Sequence, residues 1–342
     1  LKDLMKLPGR TVRAVTECAG NDAGFFDYQT RKAKKPSRIN QQDMQARAAM
    51  RETNAVPSSE AISNESTTTC AVSAGEFTGV PLAEVLKKAG LKSNAVSVRF
   101  QGFDRGQPDL AVQYRSVGRS DFKLVDPGVI NYEKGMPLAK ALHPDTLLAW
   151  SMNGEWLTHI HGAPVRLIVP GWAGSLSTKW LTRIWIRDKE HDGPGMGGFS
   201  YRVPKKPIVP GSKGDDKDMA ILESMPVRSV ITFPADGARL PAGTKKLDLR
   251  GHTWAGDNEV KSVDISTDYG VTWKTAKVDA PRNKFAWQRF TASIDLPTSG
   301  YYEVWSRATD AKGATQPFQA ANWNPQGYGG NPVSRIRVLV ES

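Results

Sequence analysis

One cysteine near the start of the chain lies where a strand gives way to a glycine turn. Residues 11–16 (TVRAVT) have the composition of a β-strand, and Cys18-Ala19-Gly20-Asn21 follows almost at once. Glycine allows the backbone to approach a bound group closely, and a cysteine thiolate is a soft ligand that suits redox metals. A cysteine in this position can instead be a small buried apolar residue. The tetrapeptide alone therefore leaves a metal ligand and a core residue both open.

Two segments in the middle of the chain carry groups suited to a phosphate-bearing cofactor. One begins at His161 and ends at Arg166, just before a strand, and the other is a glycine- and hydroxyl-rich turn containing Ser177, Thr178 and Lys179. Phosphate sites combine backbone N–H, hydroxyl and cationic groups, and both segments provide these within about 20 residues. Taken singly, the histidine is more typical of a structural role and the arginine of a strand surface.

A tyrosine, Tyr201, precedes Arg202 close to the expected junction of two domains. A phenol at such a junction can donate a hydrogen bond to an anionic substrate, although many such tyrosines only cap a core. We retain it as a candidate site residue.

Bulk properties limit the classes of function. The 342 residues suit two domains better than one, because single cores stop growing at roughly 250–300 residues. No apolar run approaches the roughly 18 residues that span a bilayer. The two cysteines, Cys18 and Cys70, cannot form a disulfide framework, though one bridge between them stays open.

The net charge of +11 raises the possibility of nucleic-acid binding. The basic residues are scattered, however, except for Arg31-Lys32-Ala33-Lys34-Lys35, whose polar surroundings favour a solvated loop. We therefore expect no nucleic-acid partner. A positive field also attracts small anions into a cleft.

The elements that position these residues divide into two domains. Short strands and helices without βαβ regularity predict an α+β fold for residues 1–222, with a helix over 83–89 that ends at Gly90 and another that starts after Pro137. Residues 22–69 have few large apolar side chains and form a long excursion. Proline, glycine and charged residues between 204 and 225 predict a linker. Evenly spaced short strands over 223–342 predict an immunoglobulin-like sandwich that serves for packing or dimerisation.

Taken in order, the motifs resemble the sulfite oxidase family of molybdenum enzymes over nearly the whole chain. The segments that carry this resemblance are Cys18-Ala19-Gly20-Asn21, Phe77-Thr78-Gly79-Val80-Pro81-Leu82, Met152-Asn153-Gly154, His161 to Arg166, Val169-Pro170-Gly171, Lys179-Trp180-Leu181, Gly251-His252-Thr253-Trp254-Ala255-Gly256, Val263-Asp264-Ile265-Ser266, Gly270-Val271-Thr272-Trp273 and Asn322-Trp323-Asn324. The tail that follows, as far as Tyr328, is most similar to the bacterial periplasmic members that have no haem domain of their own.

The resemblance implies a cofactor and a set of site residues. Cys18 is expected to bind molybdenum together with a single molybdopterin dithiolene. His161, Arg166 and the turn of Ser177, Thr178 and Lys179 match positions that hold the pterin and its phosphate. Tyr201 matches the active-site tyrosine, with Met196 as a competing alignment.

The implied activity is the oxidation of sulfite to sulfate. Because the sequence has no Cys-x-x-Cys-His haem attachment site, we expect electrons to pass to a separate c-type cytochrome. We also expect a homodimer formed through the second domain, a periplasmic location, and a leader with some mature sequence ahead of Leu1. The alternatives are a sulfane dehydrogenase subunit of a thiosulfate-oxidising complex, an oxygen-atom-transfer reductase, and a non-enzymatic protein with a decayed site.

Some positions depart from the family pattern. Asp22 and Ala23 stand where vertebrate members have two arginines, and Gln326 replaces an arginine on the substrate side. The anion pocket must therefore differ, and Arg105 or the 22–69 excursion are the candidates that the sequence offers.

Overall fold

The strands of the molecule fall into two groups that share no sheet. The computed structural model describes residues 1–22, 25–26, 71–106, 130–191, 195–212, 214–320 and 322–342. The first domain contains β1 (Arg10–Glu17), β2 (Val72–Pro81), α1 (Leu82–Ala89), β3 (Ser97–Gly106), β4 (Ile130–Pro137), α2 (Leu138–Ala141), β5 (Leu147–Met152), β6 (Glu155–Trp156), β7 (Arg166–Ile168), β8 (Leu181–Arg187), β9 (Arg202–Pro204) and β10 (Met219–Ile221). The second domain contains β11 (Arg228–Phe233), β12 (Ala238–Leu240), β13 (Lys246–Trp254), β14 (Val260–Ser266), β15 (Lys274–Thr275), β16 (Lys277–Val278), β17 (Gln288–Asp295), β18 (Gly300–Asp310) and β19 (Ser334–Val340).

The first domain is built on two antiparallel sheets that share one core. One sheet has the order β1-β2-β5-β6 with β7 also paired to β5, and the other has the order β4-β3-β8. Leu82, Phe100, Met136 and Leu167 are fully buried in a cluster that joins both sheets and α1. These mixed short elements confirm the predicted α+β class.

Helix α1 forms because its apolar residues fall on one face. Leu82 and Leu86 are buried at helical spacing, while Lys87 and Lys88 near the C-terminus interact favourably with the helix dipole. Gly90 ends the helix at φ 81°, a backbone conformation that glycine adopts without a Cβ penalty. The helix predicted over 83–89 is thereby confirmed.

The stretch predicted as a linker contains regular structure, so that prediction was wrong in part. Strands β9 and β10 pair antiparallel, with Met219 opposite Pro204 and Ile221 opposite Arg202. Phe199 and Met219 are buried together beside this pair. The composition of residues 204–225 indicated only the loop that connects the two strands, because the pairing depends on contacts outside it.

The second domain is the predicted β-sandwich. Its sheets have the orders β11-β13-β17-β16 and β12-β19-β18-β14-β15. Alternate residues of β13 are buried, as expected for strands with one face on a core. Leu249 and Phe290 from one sheet meet Val263 and Val304 from the other in that core.

The two domains contact each other at the end of β1. Val15 packs with Val230 and Trp254 of the second domain in a small buried cluster. Within the residues described, no helix has the length and apolar character needed to cross a membrane.

Candidate active site

Cys18 directly follows β1 and presents its thiol on the surface of the molecule. Its sulfur is a free, exposed thiol, whereas the neighbouring Glu17 and Ala19 are buried. Its amide N–H donates to the Ala71 carbonyl at 2.9 Å, and its carbonyl accepts from the Asn21 amide at 3.0 Å. The backbone of the loop is therefore fixed while the sulfur remains accessible. The alternative of a buried apolar cysteine is wrong for Cys18, and Cys70 lies outside the described residues.

A 3-10 turn over Gly174–Leu176 packs against the end of β1 beside this loop. Ala173 forms a bridge with Glu17. A Cβ on Gly174 would lie 2.8 Å from Cγ2 of Thr16 and 3.1 Å from the carbonyl oxygen of Glu17. Only glycine permits this approach, which places the start of the predicted phosphate-binding turn next to the strand that carries the thiol.

The two segments predicted to hold the cofactor form one connected structure. Arg166 is 8% exposed, and its guanidinium donates to the His161 carbonyl at 3.0 Å and to the Ser177 carbonyl at 3.1 Å. Lys179, in the second segment, donates from its Nζ at 3.0 Å to the carbonyl of Ile160, the residue just before the first segment. Arg166 is therefore an interior bridge between the segments and does not lie on a strand surface.

The side chains in these segments are only partly engaged with the protein. Ser177 Oγ accepts from the Val169 amide at 3.1 Å, and Thr178 Oγ1 donates to the Leu176 carbonyl at 3.3 Å. His161 is half-buried, and its Nδ1 forms a 2.7 Å hydrogen bond with Thr158 Oγ1. The assignment of these residues to the pterin and its phosphate stays a prediction.

Two buried polar atoms without a hydrogen-bond partner suit the binding of a polar cofactor. Arg166 Nε and Asn21 Oδ1 are buried and have no hydrogen-bond partner among the described residues. Burial lowers the pKa of Arg166 to about 10, so the guanidinium remains charged at neutral pH. A soft sulfur, an unpaired cationic N–H and an unpaired amide oxygen fit a group that bears a metal, an anion and ring N–H donors.

Three tyrosines lie near Cys18, of which the sequence indicated only Tyr201. Tyr201 stacks on Tyr328 with ring centroids 5.1 Å apart, and Tyr132 donates to the Ser175 carbonyl at 2.7 Å. The pKa of Tyr201 is raised to about 12, mainly by burial and next by the charge of the nearby Tyr328. Burial is also the main cause that raises the pKa of Tyr132 and Tyr328, and a charge on the Cys18 sulfur raises all three pKa values further. All three phenols are therefore protonated donors at neutral pH.

The competing candidate for the tyrosine position, Met196, is a core residue. Met196 is fully buried in the core of the first domain, and its sulfur accepts from the Gly135 amide at 3.1 Å.

A buried lysine that sequence reasoning missed lies between two of the tyrosines. Lys134 is 4% exposed, with its Nζ 4.7 Å from the Tyr132 ring centroid and 4.4 Å from that of Tyr201. Its Nζ donates to the Gly195 carbonyl at 3.1 Å. Burial lowers the pKa of Lys134 to about 8, so the amine is still mostly protonated at neutral pH. Nothing in the pattern around residue 134 distinguished it from the other scattered lysines.

The candidates that the sequence offered for the anion pocket, and the departure at Gln326, remain without an assigned role. The side chain of Arg105 lies outside the described residues, as does nearly all of the 22–69 excursion. Gln326 is half-buried, and its backbone N–H donates to Asn324 Oδ1 at 2.8 Å.

Comparison with known families gives two matches, one in each part of the chain. A profile described as "Oxidoreductase molybdopterin binding domain" matches residues 1–194. A second, described as "Mo-co oxidoreductase dimerisation domain", matches residues 219–341.

Curated relatives and solved structures agree with these matches. Human mitochondrial sulfite oxidase is 32% identical over 288 residues, which are 80% of this chain and 48% of that protein. The Drosophila melanogaster enzyme is 30% identical over 79% of this chain and 46% of its own length. The chain thus spans about half the length of the curated relatives it matches. The sulfane dehydrogenase SoxCD from Paracoccus pantotrophus shares the fold, with a TM-score of 0.69 and 24% identity over 100% of this chain and 74% of that one.

The profile matches cover the thiol loop, both predicted cofactor segments and the sandwich, and they imply a molybdenum cofactor. On these grounds, this chain belongs to the sulfite oxidase family of molybdopterin-binding oxidoreductases.

Proposed function

We propose that this protein oxidises sulfite to sulfate and passes the electrons to a separate c-type cytochrome. The observation that carries the proposal is the exposed Cys18 thiol beside three protonated tyrosines and a buried ammonium group. When bound, the molybdenum cofactor supplies two-electron redox chemistry and exchangeable oxygen. The protein must then hold the cofactor, attract a small oxyanion and donate hydrogen bonds to its oxygens.

Each group near the thiol has a role suited to an anionic substrate. Cys18 would hold the metal. Arg166 would keep together the two segments of the protein that are predicted to bind the pterin and its phosphate. The phenol of Tyr201 would donate a hydrogen bond to a substrate oxygen, as preorganised donors do where negative charge is bound or develops. The Lys134 ammonium, which donates to the Gly195 carbonyl, supplies a positive charge, and sulfite and sulfate are small anions that such a charge attracts.

The partners and the compartment are part of the same proposal. We propose that the acceptor's haem belongs to another protein, and no Cys-x-x-Cys-His attachment motif occurs within these 342 residues. The match of residues 219–341 to a dimerisation domain supports a homodimer formed through the sandwich. We propose a periplasmic location because the tail resembles that of the periplasmic members.

Turnover assays on the purified holoenzyme test the proposal. We expect sulfite oxidation with cytochrome c as acceptor, and about one molybdenum and one pterin per chain. No sulfite turnover, together with activity on a persulfide carrier, would show a sulfane dehydrogenase instead. Oxygen-atom removal from nitrate or a sulfoxide with a reduced dye would show a reductase. Absence of metal after expression in a cofactor-competent host would indicate a non-enzymatic protein.

Replacing Tyr201 by phenylalanine tests the hydrogen-bond donor. We expect kcat/KM for sulfite to fall about 10²-fold or more, in line with the loss of one preorganised donor. The stacked ring is retained, so the protein should fold normally. Steady-state kinetics would measure the loss. Tyr301→Phe is a matched control, since Tyr301 is half-exposed on the second domain and bonded to Glu303, and this variant should keep full activity.

The buried lysine predicts a pH dependence of anion affinity. Because the pKa of Lys134 is lowered to about 8, its charge is present below pH 8 and is lost as the pH rises through that value. Competitive inhibition by sulfate should therefore weaken above pH 8. In Lys134→Met the inhibition should be weaker at pH 7, and this step near pH 8 should disappear. The neighbouring acidic residue, Glu133, forms an ion pair with Arg99. Retention of the step in Lys134→Met would assign it to another group.

A further inference from the structure

A fully buried arginine of the second domain lies directly behind the Cys18 loop. Arg228, at the start of β11, is 0% exposed. Its Nε lies 2.7 Å from Glu17 Oε1, its Nη1 donates to Asp22 Oδ2, and its Nη2 donates to the Gly330 carbonyl. One side chain thus contacts the residue before Cys18 and the residue four positions after it.

Other atoms of the second domain hold the same loop. Trp254 Nε1 donates to Glu17 Oε2 at 2.8 Å, and the Gly329 amide donates to the Ala19 carbonyl at 2.9 Å. Within the loop, Asn21 Nδ2 donates to Glu17 Oε1 at 3.0 Å. The thiol therefore projects from a backbone whose buried supports come largely from the other domain.

The charges make this support depend strongly on Arg228. Glu17 and Asp22 are 2% and 3% exposed. Burial raises the pKa of Asp22, and the adjacent guanidinium opposes that rise and favours the carboxylate. Without the guanidinium, two buried acidic groups would face each other with no cation between them, which is strongly unfavourable. The loop would relieve this by moving.

We infer that Arg228 is a positioning residue for the metal ligand: the second domain sets where the Cys18 sulfur points, in addition to any role in dimerisation. Partners that orient a first ligand typically change metal affinity or activity 10–100-fold when they are removed. The inference rests on Cys18 as ligand and not on sulfite as substrate.

The chain offers a matched control for general damage to the domain contact. Lys140 of α2 is 7% exposed and lies 2.5 Å from Asp257 Oδ1 of the second domain. Trp172 Nε1 donates to the other oxygen of Asp257 at 2.6 Å. Like Arg228, Lys140 is a buried cation of an interdomain ion pair, but its contacts do not include the Cys18 loop.

The experiment compares Arg228→Met, Trp254→Phe and Lys140→Met as purified holoenzymes. The readouts are molybdenum per chain, the optical and electron paramagnetic resonance spectra of the metal centre, the thermal midpoint, and the oligomeric state by light scattering. We expect the molybdenum content per chain of Arg228→Met to be lower by roughly 10-fold or more. The metal centre that is still bound should show an altered spectrum. Trp254→Phe should shift the spectrum in the same direction, to a smaller extent. Lys140→Met should lower the thermal midpoint without changing the spectrum.

The outcomes separate the possibilities. If Arg228→Met and Trp254→Phe keep the normal metal content and spectrum, or if Lys140→Met changes the spectrum equally, Arg228 has only a structural role and the inference fails. If Arg228→Met does not fold, Trp254→Phe and Asp22→Asn decide by the same spectra. If Cys18→Ser leaves the spectrum of the metal centre unchanged, the ligand assignment itself is wrong, whatever the Arg228 result.

Discussion

In the Cys18→Ser variant we expect sulfite turnover to fall below detection. A serine hydroxyl is a harder donor than a thiolate and does not suit a metal that selects soft sulfur ligands. The loss should exceed the roughly 10–100-fold effect of removing an outer partner. The Cys18 side chain is exposed, so the fold should survive. Metal content, turnover and the thermal midpoint of the holoenzyme together measure the effect.

The control for this variant is Cys70→Ala, which removes the chain's other thiol. Cys70 has no matching ligand position in the family pattern, so turnover should stay within about twofold of normal, a change of less than about 0.5 kcal/mol in the barrier. Near-normal activity in Cys18→Ser would overturn the ligand assignment, and loss of activity in Cys70→Ala would show a role for the second cysteine.

Replacing Arg166 by methionine should separate the two segments that are predicted to bind the pterin, and it should destabilise the first domain. The guanidinium bridges the carbonyls of His161 and Ser177. Each buried carbonyl left without a donor costs about 1–3 kcal/mol, so the free energy of unfolding should fall by roughly 2–6 kcal/mol. Denaturant unfolding of the apo-protein and pterin content of the holoprotein measure the two effects.

Two companion variants sharpen this result. Arg166→Lys should recover little, since one ammonium cannot reproduce the planar fork that contacts both carbonyls. Arg183→Met is the control, because Arg183 is exposed and lies over the Trp185 ring at 5.0 Å. Its effect on stability should stay within about 0.5 kcal/mol. Full pterin retention in Arg166→Met would exclude the bridge as part of the cofactor site.

Local patterns in the sequence predicted the elements that need only local information. The strand before Cys18 and the helix that ends at Gly90 follow from side-chain periodicity and backbone preference, and both are confirmed. The order of short strands also indicated the sandwich, because alternation along a strand reports which face is buried.

The residues that sequence reasoning missed owe their position to distant contacts. Lys134 packs against Tyr201 and donates to the Gly195 carbonyl, both more than 60 residues away in the chain, whereas an isolated lysine in a strand normally lies in solvent. Arg228 meets Asp22, a residue 206 positions away. No periodicity within one segment contains such information.

The strand pair at the expected linker, with β9 at its start and β10 within it, was missed for a related reason. Pairing between β9 and β10 satisfies backbone groups across a loop rich in proline, glycine and charge. The composition correctly indicated the loop, but it could not show that the flanking residues return to each other.

The hydrogen bond between Gly329 and Ala19, and the stack of Tyr328 on Tyr201, have a consequence for biosynthesis. The ribosome releases the thiol loop first and the residues that brace it some 310 positions later. A nascent chain therefore carries an incomplete pocket until Tyr328 and Gly329 have been synthesised. We expect insertion of the metal cofactor into a complete pocket to follow synthesis of the second domain.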